Sequence, residues 1–294
     1  MRRVEMRVSS VTVIVPHCNR PELVHKALLS IHGQTMPPAE ILLIDDNSTA
    51  ENREKLMEMS SSLATILTTP GKVGPAVARN FGAQHAKSEW LAFLDDDDLY
   101  LPDKLERQIR YLEAHPEVVA LGGGSKMVTP DGVEEIWGGN APPRRLSVAD
   151  ALCNTASMSQ ALMIRRDVFL ALGGFDVNLV HLEDFEFGIR LLAAGNETHF
   201  LCEPLFIYHR GGRQQLTRQW NKMYNAEIKI LNMHAGLVRR EFGPLGMIRL
   251  RARLRKKHGL WKGGLMGRSV WAAGSITEAV LGAHTDRPHV PVPA

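Results

Sequence analysis

The chain has 294 residues, 44% hydrophobic and 23% charged, which excludes a disordered polymer or a fibrous repeat and leaves one large α/β domain or two modest ones. The formal charge of +3 is too small to mark the whole chain as a nucleic-acid binder. It hides an asymmetry, since residues 239–258 set eight Lys/Arg against Glu241 for a local +7 while residues 1–238 carry −5.

The first ten residues, MRRVEMRVSS, hold no apolar run of the secretory kind, and no stretch nears the roughly 18 apolar residues of a membrane span. Cys18, Cys153 and Cys202 are widely spaced and odd in number, which argues against a disulfide framework or a thiolate zinc site. A cytoplasmic protein is expected. Residues 11–15 (VTVIV) form a continuous β-branched run that predicts a buried parallel strand, and Pro21 opens a helix to about Ile31. Residues 41–44 predict a second strand, ending on the turn and cap residues Asp45-Asp46-Asn47-Ser48. Residues 64–67 give a weaker third strand, Gly74-Pro75 starts a helix to Ala86, and WLAFL (90–94) is a fourth strand. Pro102 begins a helix to about Ala114, followed by a strand at 118–121. This alternation implies a mainly parallel sheet with helices on both faces.

In the second half, residues 126–128 and 133–136 joined by Thr129-Pro130-Asp131-Gly132 read as a hairpin. Residues 161–164 predict a strand, 166–172 a short helix stopped by Gly173-Gly174, 183–194 a helix, and 198–201 and 205–208 two strands. From Gln214 onward the pattern is helical and increasingly basic, and residues 287–294 form a proline-rich flexible tail.

Asp95-Asp96-Asp97-Asp98 directly follows the apolar strand WLAFL. Four adjacent carboxylates repel one another, so a cation is the physical reason to gather them, and hard divalent ions take oxygen ligands together with substrate phosphates. Ligands in open parallel sheets bind at the carboxyl ends of strands. Two more polar strand ends share that edge: Asp45-Asp46, with Asp46 suited to a base or ribose, and Pro16-His17-Cys18-Asn19-Arg20. Arg20 and Arg79 are candidate counter-charges for phosphate.

The runs VTVIVPHCNRPELVHKALLSIHGQT, EILLIDDNST, VGPAVARNFGAQHAKSEWLAFLDDDDLYLPDKLERQIRYLEAHPEV and GGFDVNLVHLEDFEFGIRLLAAG resemble, in order and spacing, the inverting family 2 glycosyltransferases of the GT-A fold. The resemblance implies a catalytic domain over residues 8–212, with a donor half at about 8–122 and an acceptor half at about 123–212. A basic helical extension follows at 213–286. The resemblance also implies donor contacts at Pro16, His17, Asn19, Arg20, Asp46, Arg79, Asn80, Asp95 and Asp96. It implies a Mn²⁺ or Mg²⁺ ion at Asp97 with His209, a general base at Asp184, and acceptor-side roles for Glu183 and Gly174. Gly211-Gly212-Arg213 reads as a flexible loop able to close over the donor, with Arg213 as a diphosphate contact. The expected reaction is metal-dependent, inverting transfer from a nucleotide-diphosphate sugar, UDP-sugar first, to an acceptor hydroxyl.

Other classes fit less well. A nucleotidyltransferase wants a glycine-rich phosphate loop where Pro16–Arg20 has no glycine. Gly122-Gly123-Gly124-Ser125-Lys126 is not a P-loop, and no G-x-G-x-x-G follows a strand. A non-catalytic nucleotide-sugar-binding protein is the remaining alternative, and Asp46, Asp97 and Asp184 together argue against it. The basic segment suits a solvated face or contact with an anionic membrane, where a lipid-linked acceptor would lie, and no nucleic-acid partner is expected. Trp137 and Trp220 are equally suited to sugar stacking and to a core.

Overall fold

The computed structural model describes residues 9–153, 159–209 and 220–262. The predicted loop at 211–213, residues 263–286 and the tail at 287–294 lie outside the described residues, as does the Trp220 side chain. Four parallel strands form the first half of the sheet: β1 (Ser9–His17), β2 (Pro38–Asp45), β3 (Thr65–Thr68) and β4 (Trp90–Phe93), ordered β3-β2-β1-β4. The apolar runs of β1, β2 and β4 follow from burial on both faces, whereas the edge strand β3 is only partly buried. Val11, Val13 and Val15 pack with α1 (Pro21–His32), α2 (Ala50–Ser60) and α4 (Lys104–Ala114). On the other face Ile14, Leu42, Ile44 and Phe93 pack with α3 (Pro75–His85), α6 (Arg166–Ala171) and α7 (Glu183–Ala193).

Beyond β4 the sheet becomes mixed. β9 (Met163–Arg165) runs antiparallel between β4 and β6 (Ala120–Val128), and β10 (Thr198–His209) is parallel to β6. β5 (Leu99–Tyr100) and β8 (Arg144–Arg145) pair antiparallel with β10, and β7 (Glu134–Trp137) forms the expected hairpin with β6. The carboxyl ends of β1, β2, β4, β6 and β10 therefore share one edge. Because β9 is reversed, it is the start of β9 that reaches this edge.

Four details differ from the sequence pattern. The helix α2 was not expected, because only Leu56 and Ser60 of its polar run AENREKLMEMS are buried. The strands predicted at 118–121 and 126–128 are one strand, β6, which starts at Ala120 and continues through Gly122-Gly123-Gly124. A Cβ at Gly124 would lie 2.2 Å from the Trp137 carbonyl, so glycine lets the hairpin close. The two late strands are likewise one, β10, carried through Pro204 by register shifts. The predicted strand at 161–164 instead begins with a 3-10 turn, Ser159–Ala161.

The basic extension is more than an appendage. Its helices α8 (Trp220–Met233), α9 (Ala235–Phe242) and α10 (Gly246–Lys262) contribute Ile230, Leu231, Val238, Leu250 and Leu254 to a third apolar cluster. That cluster includes Leu152 of α5 (Val148–Cys153) and Phe185 and Ile189 of α7. Trp137 is buried edge-on against Phe200 at 5.6 Å, which makes it a core residue.

Candidate active site

The acid run after β4 forms the floor of the site. Asp96 and Asp98 are buried, whereas the side chains of Asp95 and Asp97 keep 29% and 26% of their surface open. Arg20, at the end of the β1 loop, donates from Nη1 to Asp97 at 2.9 Å and from Nε to Asp96 at 3.1 Å. The His17 Nδ1 lies 3.2 Å from Asp96, while its buried Nε2 finds no partner among the described residues. Arg79 of α3 is buried between Asp95 and Glu183, donating to Glu183 at 2.7 Å. Burial alone would lower its pKa, but Asp95 and then Glu183 outweigh that and raise it above the ordinary value.

These residues fit a divalent ion. Desolvation, reinforced by Asp95, raises the Asp97 pKa, and desolvation with Asp95 and Asp97 raises that of Asp98 well above the ordinary aspartate value. Acids crowded in this way gain from a nearby cation. Among the described residues no three His, Cys, Asp or Glu side chains converge into a complete cage. An ion here would take one or two protein ligands and complete its shell with phosphate oxygens and water, as Mg²⁺ usually does. His209, closing β10, bonds through Nδ1 to the Asp97 carbonyl at 2.9 Å, which assigns the proton to Nδ1 and the lone pair to Nε2.

Asp184 enters at the opposite side, in the first turn of α7. Leu182 before it adopts φ +63°, a left-handed conformation that is costly for a branched side chain. The Asp184 carboxylate accepts from the Ser159 and Phe185 backbone N–H groups at 3.1 and 2.8 Å and keeps part of its surface open. Desolvation, aided by Glu183 and opposed by Arg79, pushes its pKa up to about 7. A carboxylate near neutrality suits proton abstraction.

Other sequence candidates are placed differently. Asp46 is buried at the β2 end and accepts from Val73 N, Gly74 N and Thr69 Oγ1 at 2.7, 2.9 and 3.1 Å, pinning the loop that leads into α3. Asn19, at φ +57°, clamps the α2 start by accepting from Thr49 N at 2.8 Å. Asn80 spends both ends of its amide on the Phe175 backbone, at 2.8 and 2.9 Å. Gly174 sits against Asn80 at φ +68°, where a Cβ would come within 2.5 Å of its oxygen. Pro16 is buried within β1 opposite Ile44.

Sequence reasoning missed Gln160. Its amide nitrogen donates to Asp95 and Asp98 at 2.5 and 3.1 Å. It also missed Lys104, fully buried with Nζ 4.1 Å from the Tyr100 ring centre and 2.7 Å from Gln108 Oε1. Burial pulls the Lys104 pKa down to about 7. Neither position stands out by local pattern, since both look like ordinary polar residues at an element's start.

The chain is similar to several known proteins. An uncharacterized glycosyltransferase of Haemophilus influenzae is 30% identical over 196 residues, 66% of each chain. The Escherichia coli enzyme WfgD, a UDP-Glc:alpha-D-GlcNAc-diphosphoundecaprenol beta-1,3-glucosyltransferase, is 26% identical over 72% of this chain and 84% of its own. Among solved structures, S. aureus TarS 1–349 in complex with UDP-GlcNAc superposes with a TM-score of 0.62, at 16% identity, over 94% of this chain and 93% of its own. The Pyrobaculum calidifontis mannosyltransferase PcManGT, in complex with GDP-Man and Mn²⁺, gives 0.63 at 19% identity, over 96% and 77%. Both likenesses carry the GT-A fold. The family model described as Glycosyl transferase family 2 matches residues 12–169, more than half the chain and the whole acidic strand edge, and the protein belongs to that family.

Proposed function

We propose that the protein transfers one sugar from a nucleotide-diphosphate sugar to an acceptor hydroxyl in a single, inverting displacement, with Asp184 as general base. One observation carries this reading. A carboxylate with a pKa near 7 is tied to the acidic strand end by two separate bridges, Arg79–Glu183 and the turn at Ser159–Ala161. Inversion needs one base and no enzyme nucleophile, and among the described residues no carboxylate is better placed than Asp184 to be either.

The residues then divide the work. Asp97, with His209 beside it, would hold the Mn²⁺ or Mg²⁺ ion. That ion, when bound, neutralises charge on the departing diphosphate. Arg20 supplies fixed positive charge at the same edge, partly exposed and already oriented by Asp96 and Asp97. Asp46 takes two backbone N–H groups of the loop, from Val73 and Gly74, and the acceptor capacity left on its carboxylate suits the N3–H of uracil. A UDP-sugar is therefore the first donor to test. The complexes of TarS with UDP-GlcNAc and of PcManGT with GDP-Man and Mn²⁺ support a nucleotide-sugar donor and a divalent ion. The substrate named for WfgD supports a diphosphate-linked lipid as one acceptor class to test.

Two variants test the reading. Asp184→Asn should lower turnover of the preferred nucleotide sugar about a hundredfold or more while leaving Mn²⁺-dependent nucleotide binding intact in calorimetry. Asp97→Ala should remove the Mn²⁺ dependence of that binding. Undiminished turnover in the first variant rejects Asp184 as the base.

A further inference from the structure

The reversed direction of β9 brings the turn that precedes it, one residue upstream, to the catalytic edge. Ser159, Gln160 and Ala161 form a single 3-10 turn, and all three are buried. The turn is anchored from beneath. Gln108 of α4 donates from Nε2 to the Ala161 carbonyl at 2.9 Å, and its own oxygen accepts from Lys104 at 2.7 Å. Above, the same turn touches both chemical centres. The Ser159 N–H donates to Asp184, and both amide protons of Gln160 are directed at acids of the strand-end run, Asp95 and Asp98.

Each of those acids is held at its other oxygen too, Asp95 by Arg79 and Asp98 by the His209 N–H at 3.0 Å. Gln160 thus completes a frame in which no backbone segment longer than two residues separates a contact to the base from a contact to the acid run. Only a side chain with two donors and no charge fits. A glutamate would add a further carboxylate, and an asparagine is one methylene too short to span both acids.

We propose that Gln160 is a positioning residue for sugar transfer: it fixes Asp95 and Asp98 relative to the base Asp184, so that metal-side acids and base are set by one turn. This rests on the nucleotide-sugar reading above. The role differs from plain packing because a divalent ion at the acid run should partly replace what the amide supplies.

The test compares the unsubstituted chain with Gln160→Met, Gln160→Glu and Gln160→Asn. Thermal midpoints are taken in EDTA and in Mn²⁺ with whichever of UDP, dTDP or GDP stabilises the unsubstituted chain. Turnover is followed as hydrolysis of the best donor among UDP-glucose, UDP-GlcNAc and GDP-mannose. Gln160→Met should lower kcat about tenfold with KM changed less than threefold, and its deficit in midpoint should shrink by at least half when Mn²⁺ and nucleotide are added. Gln160→Glu should show a larger deficit in EDTA and a larger recovery. Gln160→Asn, which keeps one contact, should fall between Met and the parent, and it carries the test should Met not fold. A deficit equal in both buffers, with kcat within twofold of the parent, overturns the proposal and leaves Gln160 a packing residue. If no nucleoside diphosphate with Mn²⁺ stabilises the unsubstituted chain, the donor reading itself falls, and this proposal with it.

Discussion

Lys104 is the residue with the least common surroundings. It is fully buried with no carboxylate against it among the described residues, held by Gln108 and the face of Tyr100, and its pKa is pulled down to about 7. In the unfolded chain a lysine titrates near 10.4. Between the two values the unfolded state binds the extra proton, so Lys104 makes stability rise as pH climbs above 7 and stop rising near 10. The rise from pH 7 to 9 is worth about 2 kcal/mol at 1.36 kcal/mol per unit. Urea midpoints of the parent and of Lys104→Met in EDTA should reveal it, with the variant losing that rise. Parallel pH slopes in the two proteins would contradict the assignment. Asp184 gives the opposite sign: its folded pKa of about 7 lies above that of an unfolded aspartate, so its contribution to stability is lost as pH rises from about 4 to 7. The same value predicts that kcat/KM climbs with pH up to about 7 and then levels, provided Asp184 is the base. A rate profile flat from pH 5 to 8 would exclude that role.

At the scale of elements, the turn between α6 and α7 depends on one glycine. Gly174→Ala combines a strained φ with a Cβ placed against the Asn80 amide, which in turn holds the Phe175 backbone. A loss of about 2–3 kcal/mol is expected in urea unfolding, whereas Gly173→Ala, strained but with open space around it, should cost less. Elements with a strong local signal were legible in the sequence. VTVIV and WLAFL could only be buried strands, and Asp95–Asp98 announced an acidic strand end through its own composition. α2 left no trace in hydrophobic periodicity because it buries so little. The contacts of Gln160 and Lys104 were not legible for a different reason. Gln160 meets Asp95 across 65 positions of chain, and the reversal of β9 that unites them depends on the pairing of β4 with β6 through it. Asn19, Asn80 and Asp46 read from the sequence as ligand contacts, yet most of their hydrogen-bonding capacity goes to shaping loops, which a motif does not distinguish from touching a ligand.

For the molecule as a whole, the charge asymmetry acquires a location. The helices α9 and α10 turn Val238, Leu250 and Leu254 inward toward α7, and expose Arg239, Arg240, Arg251 and Arg255 together with Leu245 and Ile248. No helix among the described residues is long and apolar enough to cross a membrane. Exposed arginines interspersed with exposed apolar side chains are suited to an anionic lipid surface. Removing the helices would uncover Phe185 and Ile189, so charge reversal is the cleaner probe. With Arg239, Arg240, Arg251 and Arg255 all changed to Glu, the full-length chain should lose most of its sedimentation with phosphatidylserine vesicles while keeping its thermal midpoint. Equal sedimentation of both proteins would remove the membrane role.

Arg79 has a mechanical meaning as well. Its guanidinium is sealed between the end of β4 and the start of α7, gripping an acid on each side. Prising such a pair apart leaves a buried charge unmatched, at about 3–5 kcal/mol. Arg79 therefore acts as a rivet between the segment after β4 and the start of α7, so that these two elements move together or break both ion pairs.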